Sequence, residues 1–139
     1  ASLDAPHQAI DMVVTYAFST LAAKPSYPGP GVWLRGSARG LMRQVLAHGG
    51  DPLLFNTDFA ACNDYEGGLV AAERVRCASH LILGEFDQMT PPRSTRDIAA
   101  ALKATAHTVP AGHFLMQESP DAVLGVLRRA LVDTAPSRA

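Results

Sequence analysis

The period of the hydrophobic positions changes part-way along the chain. Ile10, Val13, Val14, Ala17, Phe18 and Leu21 recur at helical spacing, which predicts a helix over residues 4–22. Asp4 is its candidate cap, and Pro6 falls in the first turn, where proline is tolerated. Residues 24–31 hold Pro25, Pro28, Gly29, Pro30 and Gly31 and predict a loop. Leu41, Met42, Val45 and Leu46 predict a second helix over 37–48, with Ser37 as cap and Gly49 as stop. A short helix through Cys62 follows, capped by Asn56 or Thr57. A turn over 63–68 and a helical stretch over 70–74 come next.

After Arg76 the pattern is different. Ser79 to Leu83 is a short apolar run without polar alternation, as in a strand buried on both faces. Residues 84–92 form a loop, and Ser94 or Thr95 opens a helix holding Ile98, Ala99 and Leu102. Residues 105–109 mix polar and apolar positions, like a strand nearer a sheet edge. Ser119 caps a last helix that starts at Pro120, with Asp121 in its first turn and Val123, Leu124, Leu127 and Leu131 as its stripe. The order strand, helix, strand, helix predicts an α/β fold with parallel strands. Two parallel strands make a poor sheet alone, because such sheets have both faces covered and further neighbours. Another polypeptide is therefore expected to complete the sheet, a homodimer being the weaker alternative.

Composition narrows the function classes. The chain has 139 residues, 47% of them apolar, enough for one domain with a hydrophobic core. Its net charge is -1, from 12 Lys and Arg against 13 Asp and Glu, with no basic run that would gather nucleic acid. No stretch reaches the roughly 18 unbroken apolar residues of a membrane helix. No basic segment followed by an apolar run marks a signal peptide, so a cytoplasmic protein away from membranes is expected. Cys62 and Cys77 have no metal spacing; two reduced, partly buried thiols or one disulfide both fit.

The candidate chemistry lies between Leu81 and Met116. Groups at the carboxyl ends of parallel strands gather on one rim of a sheet. Asp87 follows the first predicted strand and His113 the second, so the topology brings them together although 26 positions separate them. A carboxylate facing an imidazole fixes its tautomer and stabilises the imidazolium formed during general-base work. Glu118, near the start of the last helix, reads as a cap or an ion-pair partner. His7, His48, His80 and His107 are scattered, and no pair has metal spacing.

Gly84, Asp87 and Pro91, then Gly112 and His113, in this order and between these elements, resemble the acid and histidine loops of the α/β-hydrolase superfamily. The resemblance covers residues 75–132 well. It implies that 75–139 is the C-terminal part of the hydrolase core, with its last two parallel strands. Residues 1–74 match loosely the mainly helical cap, or lid, that precedes the acid-bearing strand. It implies Asp87 and His113 as catalytic residues and a small-molecule substrate, with no cofactor. Trp33, Phe114 and Met116 are candidate walls of an apolar substrate pocket. The superfamily's nucleophile elbow, glycine-x-serine-x-glycine, does not occur in this chain. Gly36-Ser37-Ala38-Arg39-Gly40 has glycines at both ends, but only Val32, Trp33 and Leu34 precede it, and Ser37 reads better as a helix cap. The nucleophile is thus expected from a missing N-terminal segment or a separate chain. A serine esterase-like activity is the leading expectation. Carbon-carbon bond, haloalkane or epoxide hydrolysis on the same fold, or a non-catalytic binding fragment, are the alternatives.

Overall fold

The computed structural model describes residues 5–19, 32–49, 51 and 53–133, so the proposed Asp4 cap and the loop over 24–31 lie outside the described residues. The described helices and strands fall into two compact units. The first holds α1 (Pro6–Ala17), α2 (Leu34–His48) and α3 (Leu54–Asp64). The second holds Phe18 and Ser19 together with α4 (Gly68–Glu73), β1 (His80–Gly84), α5 (Arg96–Leu102), β2 (Thr105–Val109), α6 (Leu115–Glu118) and α7 (Pro120–Asp133). Two parallel strands with flanking helices thus follow a mainly helical region, the architecture that the sequence predicts.

In the first unit α1 begins at Pro6, whose fixed φ suits a first helical position. Ala9, Ile10, Val14 and Ala17 form its buried stripe. Each of the fully buried Ile10 and Val14 contributes roughly 1.5–3 kcal/mol by leaving water. A small, wholly apolar pocket opens between Ile10, Val13, Met42 and Phe59. Asp11 on α1 accepts from Arg39 and Arg43 on α2. Helix α2 starts three residues before the predicted Ser37. The chain leaves extended backbone at Trp33, and the Ser37 amide already donates to the Trp33 carbonyl at 2.9 Å. Gly36 makes this start possible, because a Cβ there would fall on the Trp33 ring. Helix α3 likewise starts earlier than expected. Asp51, not Asn56 or Thr57, orders its entry by accepting the Leu53 amide at 2.8 Å.

In the second unit β1 and β2 pair in parallel, with His80 opposite Thr105 and Gly84 opposite Val109. Ile82 and Val109 point to the same face and pack with Ala111 against Val123 and Val126 of α7. His80 to Leu83 are only half-buried, unlike the strand buried on both faces that the sequence predicts. The reason is the neighbour count: among the described residues β1 has a strand on one side only. The buried face of α7 is also rotated from the predicted stripe. Val123 and Val126 are buried, whereas Leu124, Leu127 and Leu131 are exposed. Val126→Ala should therefore cost about 1–3 kcal/mol through lost burial and a residual cavity, and Leu127→Ala under ~1 kcal/mol. Urea denaturation of both variants checks this, and equal losses would contradict the orientation of α7. Cys62 and Cys77 are both free and exposed rather than partly buried. Among the described residues no helix is long and apolar enough to cross a membrane.

Candidate active site

The β ladder continues beyond the strands. The Glu85 amide donates to the Val109 carbonyl at 2.9 Å and the Phe86 amide to the Ala111 carbonyl at 3.0 Å. These bonds join the loop leaving β1 to the loop leaving β2. Gly84 lets the loops approach this closely: a Cβ there would fall on the Gly112 carbonyl oxygen and 2.7 Å from that of Ala111. A turn closed by the Asp87 amide on the Gly84 carbonyl, at 3.2 Å, then places the Asp87 carboxylate on the rim.

Asp87 and His113 meet there. Nδ1 of His113 lies 3.0 Å from Oδ2 of Asp87. The Asp87 side chain is almost wholly buried, while that of His113 is about one-third exposed. An ionised carboxylate only accepts, so Nδ1 carries the proton in this bond and Nε2 is the basic nitrogen of the neutral ring. The other contacts of Asp87 hold it in register. Its Oδ1 accepts the amides of Met89 at 2.8 Å and Thr90 at 2.9 Å. The Thr90 hydroxyl donates to Oδ2 at 2.8 Å, and its oxygen lies 3.2 Å from His113 Nδ1. Thr90 therefore stiffens the acid loop and also braces the imidazole.

Burial pushes the Asp87 carboxyl up. The hydrogen bonds from the Thr90 amide, His113, the Thr90 hydroxyl and the Met89 amide outweigh it and hold the group below its ordinary value of 3.8. A carboxyl lowered on folding adds stability that is complete above its unfolded value and is lost as pH falls through the folded one. The stability gap between the protein and an Asp87→Asn variant should thus be constant from pH 7 to about 5 and shrink below about pH 4. Urea midpoints at several pH values check it, and a gap unchanged down to pH 3 would contradict it.

Other predicted residues have different settings. Phe114 meets the edge of Phe18, with ring centres 5.0 Å apart. Met116 is 70% exposed. Trp33 belongs to the first unit, where Arg39 lies over its ring. Ser37 sits in the first turn of α2 with no strand before it, so it lacks the backbone of a nucleophile elbow. An open groove beside the acid is lined by Phe86, Gln88, Pro91, Pro92 and Arg93.

Two arrangements went unseen in the sequence. Glu118 is buried, and its oxygens accept two backbone amides, Gly112 at Oε1 and Ser19 at Oε2, both at 3.0 Å. His80 and His107 stack with ring centres 5.4 Å apart, and a ring nitrogen of each lies 3.1 Å from the other. The parallel register makes this second pair, at the opposite end of the strands from Asp87. Among the described residues no group of three or more His, Cys, Asp or Glu converges as metal ligands would.

Two parallel strands, whose following loops bring an aspartate and a histidine together, with helices on their flanks, form the architecture of the C-terminal part of an α/β-hydrolase fold. A solved structure supports this: "Structure of a thermophilic esterase" superposes with a TM-score of 0.67 at 18% identity, over 96% of this chain and 49% of that one. The chain spans about half the length of that esterase. No protein-family model and no curated protein matches the sequence.

Proposed function

We propose that this chain is the acid- and histidine-bearing part of a hydrolase, serine esterase-like on a small or apolar carbonyl substrate. The observation that carries the proposal is the 3.0 Å contact between Asp87 and His113, with Nε2 left as the basic nitrogen. The half-exposed β1, with one strand neighbour among the described residues, supports a further N-terminal segment or chain that completes the sheet. That segment supplies a serine and the amides that hold the oxyanion. His113 Nε2 takes the proton of the serine hydroxyl as its oxygen attacks the ester carbonyl. The ester C–O bond then breaks, and Nε2 returns the proton to the leaving alcohol. A water molecule deprotonated by Nε2 next attacks the acyl carbonyl, the bond to the serine oxygen breaks, that oxygen regains the proton from Nε2, and the carboxylic acid leaves. Asp87 holds the imidazole tautomer throughout. Phe114 and Met116, beside His113 in sequence, wall the apolar part of the substrate.

The test begins with the mass of every chain that co-purifies, under denaturing conditions, and with labelling of the complete protein by a fluorophosphonate. The expected result is one labelled serine within glycine-x-serine-x-glycine and turnover of p-nitrophenyl acetate. Halide release or epoxide opening with an aspartate in that position would reject the esterase. A complete protein without any turnover would leave Asp87 and His113 as parts of a binding protein.

A further inference from the structure

We propose that Glu118 is a positioning residue for His113: its buried carboxylate clamps the Gly112 amide to the Ser19 amide and so fixes the loop from which the imidazole reaches Asp87. For turnover the proposal rests on the hydrolase reading. For geometry it stands alone.

The residues around Gly112 show what the clamp does. From Val109 to Gly112 the backbone is irregular, yet its groups have defined partners. The Val109 carbonyl takes the Glu85 amide, and the Ala111 carbonyl takes the Phe86 amide. The Gly112 carbonyl rests against Gly84, where a Cβ has no room. These contacts hold the loop from the β1 side only. The amide of Gly112, one residue before His113, is buried and needs an acceptor. Glu118 Oε1 provides it at 3.0 Å, across the turn that leads into α6.

The other carboxylate oxygen reaches a distant part of the chain. Oε2 accepts the Ser19 amide at 3.0 Å, 99 positions away in sequence. Next to it, Phe18 packs in a T-shaped pair with Phe114, the residue after His113, with the rings at 78°. Gly112 and Phe114, on either side of the histidine, are therefore both tied to the pair Phe18–Ser19. The His113 backbone is thus flanked by a contact on either side.

The residue type fits the task. A carboxylate offers two acceptor oxygens and no donor, matching two converging N–H groups. Glutamine has the same shape but one acceptor, and its NH2 would face an amide N–H. Phe114 and the first residues of α6 separate the histidine from the clamp, so Glu118 holds the loop from close by in sequence. A glutamate with a purely structural role would stabilise the fold and leave the imidazole unaffected.

The experiment compares Glu118→Gln with the unaltered complete protein. It follows p-nitrophenyl acetate hydrolysis and the proton resonance of the His113 Nδ1–H, which a carboxylate partner shifts far downfield. His80 and His107, at the other end of the strands, serve as internal controls. The expected result is kcat lower by roughly 10–100-fold with KM within about twofold. The His113 resonance should broaden or disappear while the signals of His80 and His107 persist. A folded variant with unchanged kcat and an unchanged His113 resonance overturns the proposal, even if its Tm is lower. If the variant does not fold, amide exchange of the unaltered protein decides. Slow exchange at both Gly112 and Ser19 supports the clamp, and exchange at either as fast as in exposed loops overturns it. A protein that hydrolyses no ester rejects the esterase reading, and the His113 resonance alone then decides the role of Glu118.

Discussion

On the hydrolase reading proposed above, Asp87→Asn should lower kcat/KM for p-nitrophenyl acetate by about 10⁴-fold, some 5 kcal/mol. The size follows from which oxygen holds what. Oδ1 accepts two amides, from Met89 and Thr90, so the asparagine oxygen takes that place and its NH2 replaces Oδ2. The NH2 then faces His113 Nδ1 and the Thr90 hydroxyl, where an acceptor is needed. Nδ1 meets this donor best by losing its proton, which leaves the proton on Nε2. The ring keeps its position but is the wrong tautomer to deprotonate a serine. Removal of the ring by His113→Ala should cost about 10⁴–10⁶-fold. Initial rates with active-site titration provide the check. An Asp87→Asn enzyme within tenfold of the unaltered one would refute the dyad's role in turnover.

Gly84→Ala is the substitution expected to damage the fold most. Its methyl group would fall on the carbonyl oxygens of Gly112 and Ala111, which are backbone atoms and cannot turn aside as a side chain would. Relief requires the loop after β2 to move away from β1, which breaks the bonds from Glu85 and Phe86. Overpacking of a close-packed site costs typically 1–3 kcal/mol; with the lost hydrogen bonds the total should be about 3 kcal/mol or more. Urea denaturation measures it, and a loss under about 0.5 kcal/mol would mean that the loops do not approach as described. The same displacement carries His113 away from Asp87, so turnover should fall with stability.

The legible parts of this molecule are those with local causes. The apolar run before Gly84, the helix start at Ser119-Pro120 and the order of elements suffice to predict parallel strands and hence Asp87 beside His113. Helix starts were less legible. Ser37 looks like a cap, but its amide is used one turn later because Trp33 and Gly36 set the entry. Ser119 precedes α7 as predicted, yet its hydroxyl donates to the Pro110 carbonyl. On α7 the valines and leucines are equally apolar, and only the position of Ile82 and Val109 decides that Val126 faces inward. The partners of Glu118 and of His80 were not legible. Nothing near Glu118 announces an amide 99 positions away, and His80 meets His107 only through the strand register.

The backbone bonds from Glu85 to Val109 and from Phe86 to Ala111 have a consequence for how the chain can vary in length. They place the two loops in a common register, so a residue gained or lost within 85–87 or within 110–113 shifts one reactive side chain against the other. A matched change in both loops would still break the bonds that align them. A residue gained or lost is therefore expected to be tolerated only in stretches outside this ladder.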